Sequence, residues 1–199
     1  MKNIVELRDV RPDDKETLRT WRNLPHISKY MFQDHHVTVE EHERWFPAAM
    51  ADPRRKYWIV SRQNRDIGLV NICDIDASSG RCYGGIYIAD KSEQMSGSGV
   101  FAEYAMLYQV FEVLKLNKFC GEVMAFNTRA CQLHRRLGFQ QEGYFREHVR
   151  KGDQLVDVYF FAMLRRDWET QRAVIENMLE PLVALLEKRG KSAGVSPNV

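Results

Sequence analysis

Two segments combine residue types whose spacing can do chemistry. The first is Gln94-Met95-Ser96-Gly97-Ser98-Gly99, set between a strand pattern and a long helical pattern. Its glycines let the backbone turn sharply and bring N–H groups close to a ligand. The helix that follows adds unpaired N–H donors and the positive end of its dipole. Together these can bind a pyrophosphate; a plain turn is the other reading of the same residues. The segment lacks the third glycine of a dinucleotide fingerprint, and no Gly-Lys-Ser/Thr follows to make a phosphate-binding P-loop. The second segment runs from Asn127 through Ala130, Leu133, His134 and Leu137 to Gly138 and Phe139. Locally it is a helix capped by Asn127 and stopped by Gly138. It also carries an imidazole, the side chain that exchanges protons near neutral pH.

Other chemistries fit poorly. Asp34-His35-His36 has no third ligand at useful spacing, and His42-Glu43-Arg44-Trp45-Phe46 lacks the second histidine of a zinc helix, so no metal is expected. Cys131 precedes His134 by one helical turn, but no third group to orient such a pair is evident. The four cysteines form no CxxC and read as reduced, buried thiols.

The elements that must position these segments follow from periodicity. Residues 2–10 read as a strand, 13–23 as a helix and 26–30 as a second, short helix. Thr38 and Glu41 form a capping box for a helix with His42, Trp45 and Phe46 on one face. Residues 57–60, 67–75 and 81–89 read as an antiparallel meander. A helix over 100–116, a strand over 119–126, the Asn127 helix and a hairpin around Lys151-Gly152-Asp153 complete an α+β domain with a mixed, mostly antiparallel sheet of about seven strands. Residues 1–165 make this domain. Residues 166–189 read as a helical extension that Pro181 kinks or splits, serving as a dimer contact or packing back on the sheet; 190–199 read as a mobile tail. The chain has 199 residues, 29 Lys plus Arg against 27 Asp plus Glu, and 44% hydrophobic residues. A net charge of +2 argues against a nucleic-acid partner. No stretch is long and apolar enough for a membrane span, and the first residues lack a signal-peptide pattern, so a cytoplasmic protein is expected.

Gln-x-x-Gly-x-Gly on one strand–helix turn, followed by Asn-x-x-Ala-x-x-Leu-His-x-x-Leu-Gly-Phe on the next, resembles the GNAT superfamily of acetyl-CoA-dependent N-acetyltransferases over roughly residues 4–165. The resemblance implies the GNAT fold, acetyl-CoA as acetyl donor and direct transfer to an amine. It implies that the N–H groups of Met95, Gly97, Ser98, Gly99 and Val100 hold the pyrophosphate. It places Ile86, Tyr87 and Ile88 beside the pantetheine and Asn127 next to the splayed strands, with Arg129 or Arg136 toward the 3′-phosphate. Many members donate the leaving-group proton from a tyrosine at the position filled here by His134. That departure leaves His134 either as the general acid or as a packing residue. Glu122 is placed to hydrogen-bond the amine; pairing with a neighbouring Lys or Arg is its other reading.

The N-terminal third carries Trp21-Arg22-Asn23, Tyr30-Met31, Glu41-His42 and Trp45. This string, with Glu142-Gly143 and Asp157-Val158, resembles the N-acetyltransferases of pseudaminic acid biosynthesis. Those act on the 4-amino group of a UDP-linked amino-deoxy sugar used in flagellin glycosylation. The resemblance implies a UDP-amino sugar partner. Arg8, Arg22 and Lys29 would meet its diphosphate, and Trp21, Asn23, Tyr30, Met31, Phe32, His42, Trp45 and Tyr87 would line the acceptor site. A ribosomal-protein-type N-terminal acetyltransferase and a non-catalytic acetyl-CoA-binding module are the alternatives.

Overall fold

The computed structural model describes residues 4–193. Seven strands form one sheet: β1 (Glu6–Asp9), β2 (Lys56–Arg62), β3 (Arg65–Asp76), β4 (Arg81–Ile88), β5 (Lys118–Met124), β6 (Gln140–Lys151) and β7 (Gln154–Leu164). Their order is β1-β2-β3-β4-β5-β7-β6. The middle strands are apolar on both faces, as Trp58, Ile59 and Val60 on β2 show, because helices cover both sides. One face carries α1 (Lys15–Asn23), α2 (Pro25–Ser28) and α3 (Val39–Ala51), packed through Leu18 and Phe46 onto Ile59 and Leu69. The short α4 (Lys91–Gln94) leads into α5 (Ser98–Tyr108). With α6 (Thr128–Arg136) and α7 (Arg165–Ala193), α5 covers the other face around Phe101, Leu107, Phe119, Phe161 and Trp168.

Every neighbouring pair of strands is antiparallel except β4 and β5. Parallel neighbours need a crossover, and α4, α5 and a closing π turn over Gln109–Val113 supply it. The parallel pairing lasts three residues, Arg81↔Lys118, Cys82↔Phe119 and Tyr83↔Cys120. Past it, β4 stays paired with β3 as far as Ile88, and β5 with β7 as far as Met124. The sheet therefore opens between 84–88 and 121–124, and two strand edges face a gap inside it. Gly84 stands at the opening. A Cβ there would meet the Asn71 carbonyl oxygen at 2.4 Å and the Phe119 ring at 2.9 Å.

Two sequence expectations need correction, and one open alternative is decided. The helix expected over 100–116 starts at Ser98 and gives way to the π turn after Tyr108. Of the two readings of residues 166–189, the structure shows the helix packing back on the sheet: Trp168, Ile175, Leu179 and Leu186 belong to the main core. The helix also runs unbroken through Pro181 to Ala193, and 194–199 of the expected tail lie outside the described residues. Packing of this apolar stripe outweighs the one backbone hydrogen bond that Pro181 removes.

Because the Cβ of Gly84→Ala would press on backbone, the variant is expected to lose about 1–3 kcal/mol of stability, as for other overpacked sites. Urea unfolding followed by circular dichroism checks this.

Candidate active site

The loop between α4 and α5 is shaped by one buried carboxylate. Gly97 adopts φ +98°, a left-handed turn that a side chain would strain, and caps α5. Glu93 lies below it and accepts hydrogen bonds from the Ser96 and Ser98 hydroxyls, both at 2.7 Å, and from Arg62 Nη1 at 2.6 Å. Burial drives the Glu93 carboxyl upward, but the hydrogen bonds from Ser98, Ser96 and Arg62 outweigh it and hold the group below the usual carboxylate range. Arg62 also donates to the Leu186 carbonyl of α7 at 3.2 Å, and Leu182 approaches Gly97. Gln94 ties the loop to β4 by donating to the Ile88 carbonyl at 2.8 Å.

Of the five amides expected to face a pyrophosphate, three are engaged within the loop. The Met95 N–H turns to the Glu93 carbonyl, that of Ser98 to the Ser96 hydroxyl and that of Val100 to the Gly97 carbonyl. The N–H groups of Gly97 and Gly99 have no hydrogen-bond partner among the described residues. They form the free part of the cradle at the positive end of α5. From α6, Arg129 reaches across to the Gln94 carbonyl and the Met95 sulfur, which puts a guanidinium beside the loop. Met95 itself is 79% exposed. Asn127 caps α6, its Oδ1 accepting from the Ala130 N–H at 3.3 Å. Ile86, Tyr87 and Ile88 lie on the β4 side of the gap, whose free strand edge suits an extended chain carrying amide groups.

Alternation along the strands puts Tyr83, Tyr87, Glu122 and Phe160 on the face covered by α1–α3. Glu122 is exposed and has no ion pair or hydrogen bond among the described residues, which sets aside its expected Lys or Arg partner. Aromatic rings surround its strand pair: Tyr83 meets Phe160 edge-on at 6.1 Å, and Phe145 packs on Phe160 at 6.2 Å. Nearby, Tyr30 stacks on Phe126 at 6.0 Å.

His134 lies on the opposite face. Its ring packs on Phe139 at 4.5 Å and Phe161 at 5.3 Å, and its Cε1 lies 3.6 Å from where a Gly121 side chain would begin. Gly121 follows Cys120, the last β5 residue paired with β4, so the ring lies against the apex of the gap. Nε2 is 3.1 Å from Glu103 Oε1, a partner on α5 that the sequence reading missed. No local pattern could have singled out Glu103, since a glutamate inside a helix reads as a solvated position.

The remaining expected acceptor residues divide. Trp21 meets Tyr87 edge-on, and Arg22 donates one nitrogen to the Gln33 carbonyl while Nη1 is without a partner among the described residues. Burial pushes the Arg22 guanidinium value down. Asn23 clamps Val37 through two hydrogen bonds, and Lys151 donates to the Met31 carbonyl at 2.7 Å, so these two shape the α2–α3 loop. Arg8, His42 and Trp45 are not brought to the gap. Arg8 is engaged by Asp14 and Asp66 at the β1 edge. His42 is buried against the Lys15 carbonyl, and Trp45 packs on Tyr57 of β2, two strands from β4. Among the described residues no cluster of His, Cys, Asp or Glu suits a metal ion, and no helix is long and apolar enough to cross a membrane.

The acetyltransferase (GNAT) domain family model matches residues 5–140. The chain belongs to the GNAT family. It is an acetyl-CoA-dependent N-acetyltransferase, and the open gap, the two free glycine amides and Arg129 fit that donor. Acetyltransferase PseH of Campylobacter jejuni subsp. jejuni serotype O:23/36 (strain 81-176) is 27% identical over 139 residues, 70% of this chain and 83% of the relative. The putative ribosomal N-acetyltransferase YdaF of Bacillus subtilis (strain 168) is 21% identical over 179 residues, covering 84% and 95%. Among solved structures, spermidine N-acetyltransferase from Vibrio cholerae in complex with CoA and spermine superposes with a TM-score of 0.79. It is 23% identical, covering 84% of this chain and 99% of that one, and supports the shared GNAT fold.

Arg62→Leu removes the buried one of the two cations at Glu93, leaving the exposed Arg65 at 3.2 Å, and cuts the link to α7. It is expected to lose about 3 kcal/mol of stability, the low end for breaking a buried ion pair, because Arg65 still faces the carboxylate. In the parent protein the lowered Glu93 value stabilises the fold above the ordinary glutamate range. That share is lost as pH falls through the lowered value. Chemical denaturation of both proteins from pH 7 downward measures both effects: the variant starts lower, and its stability falls less as pH drops.

Proposed function

We propose that the acceptor is the amino group of a sugar nucleotide, the 4-amino group of a UDP-linked amino-deoxy sugar. The observation that carries this reading is the unpaired carboxylate of Glu122 among Tyr83, Phe145 and Phe160 beside the gap. Aromatic faces suit the apolar faces and deoxy methyl of a sugar ring. Arg22, with one nitrogen unpartnered, supplies a donor of the kind that a diphosphate satisfies. The stack of Tyr30 on Phe126 adds a flat apolar surface next to the α2–α3 loop. Likeness to acetyltransferase PseH and the motif string from Trp21 to Trp45 support the same substrate class. His42, Trp45 and Arg8 leave the list of ligand contacts, because each is engaged elsewhere.

In this reading Glu122 accepts the proton that the amine loses on attack, directly or through a water. The bound acetyl thioester offers the carbonyl carbon that the amine attacks. His134 donates the proton that the departing thiolate needs.

Purified protein assayed for CoA release across amino-sugar nucleotides, N-terminal peptides and spermidine tests the acceptor. A UDP-amino sugar is expected to give the highest kcat/KM; faster turnover of peptide or spermidine overturns the choice. Glu122→Gln is expected to lower kcat/KM for the acceptor about a hundredfold, in the range of a lost general base, with KM for acetyl-CoA nearly unchanged.

A further inference from the structure

Glu103 places a charge where a charge is hard to keep. It is 3% exposed, on a stretch of α5 that buries Phe101, Ala102, Tyr104, Met106 and Leu107. Its hydrogen-bond partner among the described residues is His134, whose side chain is 11% exposed and whose Nδ1 has no partner there. Burying a carboxylate and an imidazole together is less favourable than filling the same volume with apolar groups. Packing alone does not call for this pair.

The position is as informative as the burial. The ring lies against Gly121 at the apex of the gap and is fixed from its own helix end. Phe139 N–H donates to the His134 carbonyl at 3.0 Å, and Gly138 N–H to that of Arg135 at 3.2 Å. This is a Schellman closure, with Gly138 at φ +88°. Its usual apolar contact is here the stack of Phe139 on the imidazole itself. The groups around the ring are Glu103 from α5, Gly121 from β5, Phe161 from β7, and Cys131 and Arg135 from α6. Burial pushes the Cys131 thiol up, and Arg135 lies over Phe161 and Tyr159. Glu103 is the one carboxylate among them.

We infer that Glu103 is a positioning residue for His134, fixing the proton-bearing Nε2 and supporting the imidazolium so that Nδ1 holds the transferable proton. A carboxylate only accepts, so Nε2 is the N–H in this pair. The inference rests on His134 as proton donor in the reaction proposed above. In that step the acceptor nitrogen bonds to the acetyl carbon. The carbon–sulfur bond breaks with its electron pair going to sulfur, and sulfur takes the Nδ1 proton. The proton released by the amine passes through Glu122 to solvent, and Nδ1, buried at rest, regains a proton from water in the gap when the ring turns toward it.

The test is kcat against pH for the parent, Glu103→Gln, His134→Ala and the double variant, with thermal unfolding of each. Glu103→Gln is expected to lower kcat about tenfold above neutral pH, with KM for acetyl-CoA nearly unchanged. It should move the alkaline limb of the profile down, because it removes the carboxylate 3.1 Å from Nε2. Added to His134→Ala, it should cause no further loss of kcat. If His134→Ala lowers kcat while Glu103→Gln leaves both kcat and the limb in place, the inference fails and His134 keeps its role. If His134→Ala leaves kcat unchanged, His134 is no donor and both readings fall. Should Glu103→Gln not fold, Glu103→Asp keeps the charge but draws it back from Nε2. It is expected to lower kcat with the limb nearly in place, and an unchanged kcat overturns the inference.

Discussion

One parallel contact in an antiparallel sheet organises this molecule. β4 and β5 run side by side for three pairs and then part. Being parallel, they need a crossover on one face of the sheet, and that crossover brings the N-terminus of α5 to the end of β4. Being parted, they leave backbone donors and acceptors facing an opening in the middle of the sheet. The loop that leads into α5, the free strand edges and the residues at the apex all take their positions from this arrangement. A glycine marks the same constraint: Gly84 cannot carry a Cβ beside the Asn71 carbonyl.

Much of the fold could be read from local pattern. The Thr38–Glu41 capping box, the Asn127 cap and the Gly138 stop depend on neighbours within five residues, the meander on alternating runs joined by short turns, and all are present. The candidate site was legible where its local structure rests on a short motif, as in the turn at Gly97 and the helix stop after His134, and illegible where it depends on distance. Arg62 and Glu93 are 31 residues apart, and so are Glu103 and His134. Neither pair has a sequence signature, since a single charged residue in a strand or helix looks solvated until the fold buries it. Arg8, His42 and Trp45 erred in the opposite direction. Their types suit a ligand, but the fold engages them in ion pairs and packing at the β1 and β2 side.

The C-terminal helix shows how far a local rule can mislead. Pro181 removes a backbone donor, yet α7 continues through it because Ile175, Leu179 and Leu186 are buried along one side. The same burial puts the Leu186 carbonyl within reach of Arg62 and Leu182 beside Gly97. A segment beyond the catalytic elements thus helps to fix the loop that faces the donor. Gly138 is linked to α7 as well, since a side chain there would meet Gln171 at 2.9 Å.

Glu122 and His134 are reached from β5 residues that adjoin in sequence, Glu122 itself and Gly121, yet they lie on opposite faces of the sheet. The sheet is in that sense a septum with a single doorway, and the doorway is the gap. Glu122 opens toward the α1–α3 side, while the α5 loop belongs to the other. The geometry therefore gives the gap two mouths, one on each face of the sheet, with Glu122 beside one and the ring of His134 beside the other.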